Sequence, residues 1–392
     1  MKKWKTEIIL MALLLPVSVS ISVSISAVAQ TPSPQDAIAL EQQGKFPEAA
    51  AAWRAVTARN PADAAAFASL GVVLSKQQKY SEAAAAYRRA LALNSKLPGV
   101  ALDLGLAEFK QGHFEAAVVA LRAAMTADPS NIQARTLLGL SYYGVQRFGE
   151  AVKYLDPAAK NDPTNLELQR LLAQSCLWAR NYPCALEEFH QLLQQNPDSA
   201  AAHVLMGEAL DGLGRTEEAI AEFEAAARIS PSEPNVHFGL GYLYWKSQHY
   251  DEAKKEFEGE LALDPGHAQA LAYLGDIEWK NNHPDTALSV LKRAQSIQKN
   301  LRIVYIDLGA IYMQQKSYKD AQSALLQAVA LDPALPDAHY QLGRLYQARG
   351  DTADAERELH KVQELHKKAE DSLVGKISSA PPALNPSEDN KQ

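Results

Sequence analysis

Cysteine is nearly missing from this 392-residue chain, with two residues, and aromatics make up only 7%. Two cysteines exclude the multi-disulfide framework of small secreted domains. They also make no zinc site, because no histidine or further cysteine completes a ligand set around Cys176 and Cys184. Basic charge is not in excess either: the formal net charge is −7, so the chain is not built to coat nucleic acid, which needs clustered Lys and Arg. Also lacking are a His-Glu-x-x-His zinc motif, a glycine-rich phosphate loop and a Gly-x-Ser-x-Gly nucleophile elbow. No catalytic residue, metal site or cofactor is expected. With aromatics so scarce, where they stand becomes informative.

What is present begins with a leader-like segment. Lys2, Lys3 and Lys5 precede an apolar stretch from Ile8 to Val28, which ends in the small residues Ala27, Val28 and Ala29. That order predicts a secretory signal peptide over 1–29, cleaved after Ala29, and hence a periplasmic or secreted protein. An uncleaved leader would be the one route to a membrane, but Pro16 and the serines between Ser18 and Ser26 argue against a span. Cleavage takes three lysines and one glutamate away, moving the net charge to about −9. Downstream, hydrophobic residues rich in alanine suit close-packed helices.

The rest is periodic. Pro61, Pro129, Pro163, Pro197, Pro231, Pro265 and Pro333 are spaced by 34 or 68 residues. Gly71, Gly105, Gly139, Gly207, Gly241, Gly275, Gly309 and Gly343 keep the same interval, with Ala173 in the missing slot. Alanine follows each after twelve residues, from Ala83 to Ala355, and a large apolar residue follows four later: Tyr87, Leu121, Leu155, Phe189, Phe223, Phe257, Leu291, Leu325 and Leu359. The spacing predicts two short helices per unit, with the glycine facing the alanine so that the backbones approach closely. Each unit then buries its apolar face only against its neighbours. The string Gly239-Leu-Gly241 belongs to this column and is no nucleotide fingerprint.

A 34-residue unit with small residues at its eighth and twentieth places and proline at its thirty-second resembles the tetratricopeptide repeat. Ten units are expected, 30–63, 64–97, 98–131, 132–165, 166–199, 200–233, 234–267, 268–301, 302–335 and 336–369, followed by a polar helix end and disordered tail over 370–392. The resemblance implies an all-α, right-handed superhelical solenoid of tandem hairpins whose concave groove holds a protein or peptide, and exported relatives point to an envelope assembly or secretion system as the setting. It also implies that first-helix places 2, 5, 9, 12 and 13 line that groove. Those places hold Asn235, Phe238, Tyr242, Trp245 and Lys246 in the seventh unit, and Gln269, Asp276, Trp279 and Lys280 in the eighth. Ile306 and Met313 follow in the ninth, and Tyr340 and Arg344 in the tenth, with Phe109 and Tyr143 continuing the twelfth-place column earlier in the chain. Aromatics gathered on a concavity are what a binding hot spot looks like in sequence, although some could pack against neighbouring helices instead. No unit has lysine at place 2 or 5, so the family's carboxylate clamp is not carried over. The alternative partner is a polysaccharide stacked on the same rings in exopolysaccharide export.

Cys176 and Cys184 fall eight apart across one turn, either as a bridge formed after export or as two buried thiols. Their spacing is similar to that of the Sel1-like relatives, where a disulfide ties the two helices. His203, His237 and His339 share the fourth place of their units and are read as packing residues. The carboxylate pairs Glu187/Glu188 and Glu217/Glu218 are read as helix-start acids that complement the dipole.

Overall fold

The computed structural model describes residues 31–378, with side chains to residue 371. The expected leader over 1–29 and the tail beyond Ser378 lie outside these residues. All regular structure among the described residues is helical, and none of the helices is long and apolar enough to cross a membrane.

The helices fall into two compact units. The first holds α1 (Pro34–Gln42), α2 (Phe46–Arg59), α3 (Ala64–Lys76), α4 (Tyr80–Leu93), α5 (Val100–Lys110) and α6 (Phe114–Ala127). The second runs through α7 (Ile132–Gly144), α8 (Phe148–Asn161), α9 (Leu166–Trp178), α10 (Tyr182–Gln195), α11 (Ala200–Gly212), α12 (Thr216–Ile229) and α13 (Val236–Lys246). It continues with α14 (Tyr250–Leu263), α15 (Ala268–Lys280), α16 (Pro284–Ile297), α17 (Arg302–Gln314), α18 (Tyr318–Leu331), α19 (Pro336–Arg349) and α20 (Thr352–Ser378). Odd-numbered helices each pack on the even-numbered helix that follows, as hairpins.

Local chemistry sets the ends of these helices. The side chains of Asp63, Asn131, Asn165 and Ser199 accept hydrogen bonds from the backbone N–H three residues on, capping α3, α7, α9 and α11. Between the two helices of every hairpin one residue takes a left-handed conformation: Gly44, Gln78, Gly112, Gln146, Arg180, Gly214, Gln248, Asn282, Lys316 and Gly350. These recur every 34 residues. Four are glycine, for which this conformation is free of a Cβ clash; at the other six the surrounding turn holds a residue that would ordinarily avoid it.

The glycine column differs from the expected packing. A Cβ built on Gly71, Gly105, Gly139, Gly207, Gly241, Gly275, Gly309 or Gly343 would come within 2.5 to 2.8 Å of the large side chain sixteen residues later in the same hairpin. The glycine therefore makes room for Tyr87, Leu121, Leu155, Phe223, Phe257 and their equivalents; at Gly207 the alanine comes close through its carbonyl, at 3.3 Å from such a Cβ. The reason is direction: the second-helix side chain leans across the crossing point, and only a missing side chain opposite leaves it space. Phe223 and Phe257 then reach the following hairpin as well, Phe223 against Gly239 and Phe257 stacked on Tyr273 at 5.6 Å.

Cys176 and Cys184 are joined by a disulfide between α9 and α10, with Cα atoms 5.7 Å apart. Cys176 is fully buried.

Candidate partner-binding face

In the second unit the first helices of successive hairpins touch one another, α7 on α9, α9 on α11, α11 on α13, α13 on α15, α15 on α17 and α17 on α19. Among the described residues no two second helices make comparable contact. A row of hairpins closer together along its first helices bends toward them, so the exposed residues of α7, α9, α11, α13, α15, α17 and α19 share the inner side of that unit.

The densest part of this side lies on α13 and α15. Tyr242 stacks beside Trp245 with ring centroids 6.1 Å apart, and Tyr273, half-buried, packs on both rings at 5.6 and 4.8 Å. Phe238 meets the same Tyr273 at 6.2 Å and the ring of His267 at 4.8 Å. Burial pushes the Tyr273 hydroxyl up to about 12, with Tyr242 and the Asp276 carboxylate adding to it. Trp245 Nε1–H donates to Asp276 Oδ2 at 2.5 Å, and Lys280 Nζ donates to the same oxygen while its ammonium stands 4.9 Å over the Trp245 ring. Asp276 is thus buried under its neighbours: it fixes the indole and the ammonium and does not itself meet a partner.

The remaining expected residues are more scattered. Lys246 is exposed and donates to Asp211 at 2.6 Å, a bond that raises its pKa against some loss from burial. Trp279 is half-buried against a cluster that includes Leu271, Leu291 and Leu308, and Met313 packs beside Leu342 and Tyr346. Gln269, Tyr340 and Arg344 are exposed, as is Asn235, whose backbone is left-handed at φ 66° just before α13. Asn235 caps nothing with its side chain; the buried Glu260 accepts from Phe238 N–H instead, at 3.2 Å. Earlier in the same unit Tyr143 donates to Gln174 at 2.9 Å, repeating the link from place 12 of one hairpin to place 9 of the next that Trp245 and Asp276 make.

One aromatic on this side escaped the sequence reading. Trp178, at place 13 of its hairpin and 45% exposed, packs on Tyr143 and Phe148 at 5.7 and 4.9 Å. Its place number was the available signal. The three place-4 histidines form pairs that tie the two helices of a hairpin: Nδ1 of His203, His237 and His339 faces Glu222, Glu256 and Glu358 at 2.6, 2.7 and 2.6 Å. Glu187 and Glu188 correct the helix-start reading, since α10 begins at Tyr182 and has no acid in its first turn. Glu188 is largely buried, which raises its carboxyl, and Glu187 adds to that shift. Glu217 and Glu218 do stand in the first turn of α12.

Asp307 on α17 is buried, and its Oδ2 has no hydrogen-bond partner among the described residues. Burial pushes its carboxyl well above the usual range, the neighbouring Asp276 carboxylate adds to this, and Lys280 offsets part of it. A raised folded-state value means that this group favours folding most while both states hold the proton, below the ordinary aspartate value of 3.8, and that the contribution is lost as pH rises through the folded value. Asp307→Asn cannot ionise. It is expected to be more stable than the native chain by about 1–2 kcal/mol at pH 8, with the difference fading toward pH 4. Thermal unfolding of both chains across that range checks it; a gain that persists undiminished at pH 4 would mean the ionised carboxylate is not its source.

Comparison with known proteins agrees with this architecture. Tetratricopeptide repeat models match residues 36–98, 170–234 and 238–300, and a second such model matches 74–140, 108–175 and 212–259. Further models described as TPR repeat and tetratricopeptide repeat match 309–350 and 337–369. No curated protein matches the chain. Among solved structures, a chain of the APC/C hetero-tetramer Cut9-Hcn1 is similar at 15% identity and a TM-score of 0.51, over 84% of this chain and 79% of that one, a likeness of fold alone. YrrB, described as a TPR protein with an unusual peptide-binding site, aligns at 24% identity and a TM-score of 0.38 over 49% of this chain and all of its own (100%). MamA from Desulfovibrio magneticus RS-1 aligns at 19% identity and 0.39, over 43% and 96%. With its hairpins in register and repeat models running from residue 36 to 300 and from 309 to 369, the chain belongs to the tetratricopeptide repeat family.

Proposed function

We propose that this chain is an exported scaffold that holds a protein or peptide segment against the first-helix face of its second unit, within an envelope assembly or secretion system. The observation that carries the reading is the half-exposed aromatic group Phe238, Tyr242 and Trp245, kept in place by the covered Asp276 and by Tyr273. Rigid rings anchored from behind lose little conformational freedom on binding, which is what an interface anchor requires. YrrB's peptide-binding description fits the same class of partner. Export is supported by the leader-like first 29 residues and by the Cys176–Cys184 bridge, which suits an oxidising compartment. No catalytic step is part of the proposal.

A polysaccharide fits this geometry less well. Sugar stacking needs an open ring face, whereas Trp245 has the Lys280 ammonium over it and Tyr273 against it. Crosslinking the native chain and Trp245→Ala in their own cell envelope is expected to show a protein adduct that falls about tenfold in the variant. An undiminished adduct from a variant with unchanged helical circular dichroism would remove this face from consideration. Recovery of the chain in the cytoplasmic fraction would remove the export part.

A further inference from the structure

Between α11 and α13 a cavity of about 280 Å³ opens on the same face. Glu208 and Asp211 line it from α11, Phe238 and Tyr242 from α13 and Asn235 from the turn before it, with the buried Phe223 behind. Its size is just below that of small-molecule pockets, which start near ~300 Å³, so one long side chain fits it better than a cofactor does.

Charge decides which side chain. On the inner side of this unit four carboxylates have a cation in place: Glu167 with Arg170, Asp211 with Lys246, Asp276 with Lys280 and Asp337 with Arg302. Glu208 has no hydrogen bond or ion pair among the described residues, and the cavity walls raise its carboxyl from the ordinary value. A carboxylate with no cation of its own, in a cavity that Phe238 and Tyr242 also line, presents negative charge beside aromatic rings. Asp211, which gives one oxygen to Lys246, adds a second acceptor. An acidic or apolar occupant would leave that charge uncompensated; a cation with a methylene stem satisfies both the rings and the carboxylate.

We propose that this cavity receives a lysine or arginine side chain of the bound segment, with the stem along Phe238 and Tyr242 and the charge at Glu208. The proposal rests on the reading that this face holds a protein segment, and the test separates the two. The probe is a positional-scanning library of N-acetylated nonapeptides, each pool with one residue fixed at one position, titrated against the fluorescently labelled full chain. At one position the Lys and Arg pools are expected to bind about tenfold more tightly than the norleucine and Glu pools, the order that one charge-assisted hydrogen bond supplies. Glu208→Gln is expected to level those pools, and Glu208→Lys to favour the Glu pool. A Lys or Arg preference that survives Glu208→Gln overturns the cavity assignment, as does a norleucine pool that binds best. In both of those cases peptides still bind and Trp245→Ala still weakens them, so the scaffold reading stands. If no pool binds the native chain, both fail together.

Discussion

Replacing Phe257 with alanine is expected to destabilise the second unit by about 4 kcal/mol, within the range for emptying a buried phenylalanine site. Phe257 is fully buried. Its ring lies over Gly241, where a Cβ would come within 2.8 Å, and stacks on Tyr273 of the next hairpin at 5.6 Å with planes 8° apart. Glycine has no side chain that could relax into the hole, so the transfer loss and the cavity loss add. The stacking that holds Tyr273 against Trp245 goes too, which links the core to the proposed binding face. Phe257→Leu should cost only about 1 kcal/mol, because Leu121, Leu155, Leu291 and Leu325 fill the same place in other hairpins. Urea unfolding followed by helical circular dichroism measures both; a loss near 1 kcal/mol for the alanine variant would show that neighbouring hairpins close over the site.

The second large effect is expected at the disulfide. Reducing Cys176–Cys184, or changing both cysteines to alanine, should destabilise by about 2–3 kcal/mol, since the bridge closes a short loop in the unfolded chain. This hairpin carries Ala173 where its neighbours carry glycine, with the fully buried Phe189 sixteen residues later. The double alanine variant should melt at the same temperature with or without reductant, whereas the native chain should drop on reduction. Two reactive thiols in the denatured, non-reduced protein would overturn the prediction.

How much was legible beforehand differs from residue to residue. The glycine, alanine and large-apolar columns identified the hairpins because helix crossings recur in phase and each crossing tolerates few side chains. Their partners were read only in part: Gly207 was expected to face Ala219, whose carbonyl it does approach, and it lies under Phe223 as well. Column phase does not encode the direction in which a side chain leans. Glycine marks the left-handed turn residue at Gly112 and Gly214, whereas at Arg180 and Lys316 the turn imposes a conformation that the residue does not advertise.

The candidate face shows the same division. Phe238, Tyr242, Trp245 and Lys280 could be placed on it by counting along the repeat. That Asp276 would be covered by Trp245 and Lys280, that Tyr273 would bind the rings together and that Trp178 would join Tyr143 could not. Apart from the Lys280–Asp276 pair, which lies within α15, those contacts cross from one hairpin to the next.

Sequence by itself determined the helical period and the hairpin unit, because both follow from spacing along one chain, and the resemblance implied the face on which the spare aromatics stand. Only the tertiary structure decided which of those residues are covered, which charges cancel and that Glu208 is left over beside a cavity. The reason is physical: contacts such as Trp245 with Asp276 and Asp211 with Lys246 join residues about 31 to 35 positions apart and depend on how the hairpins stack.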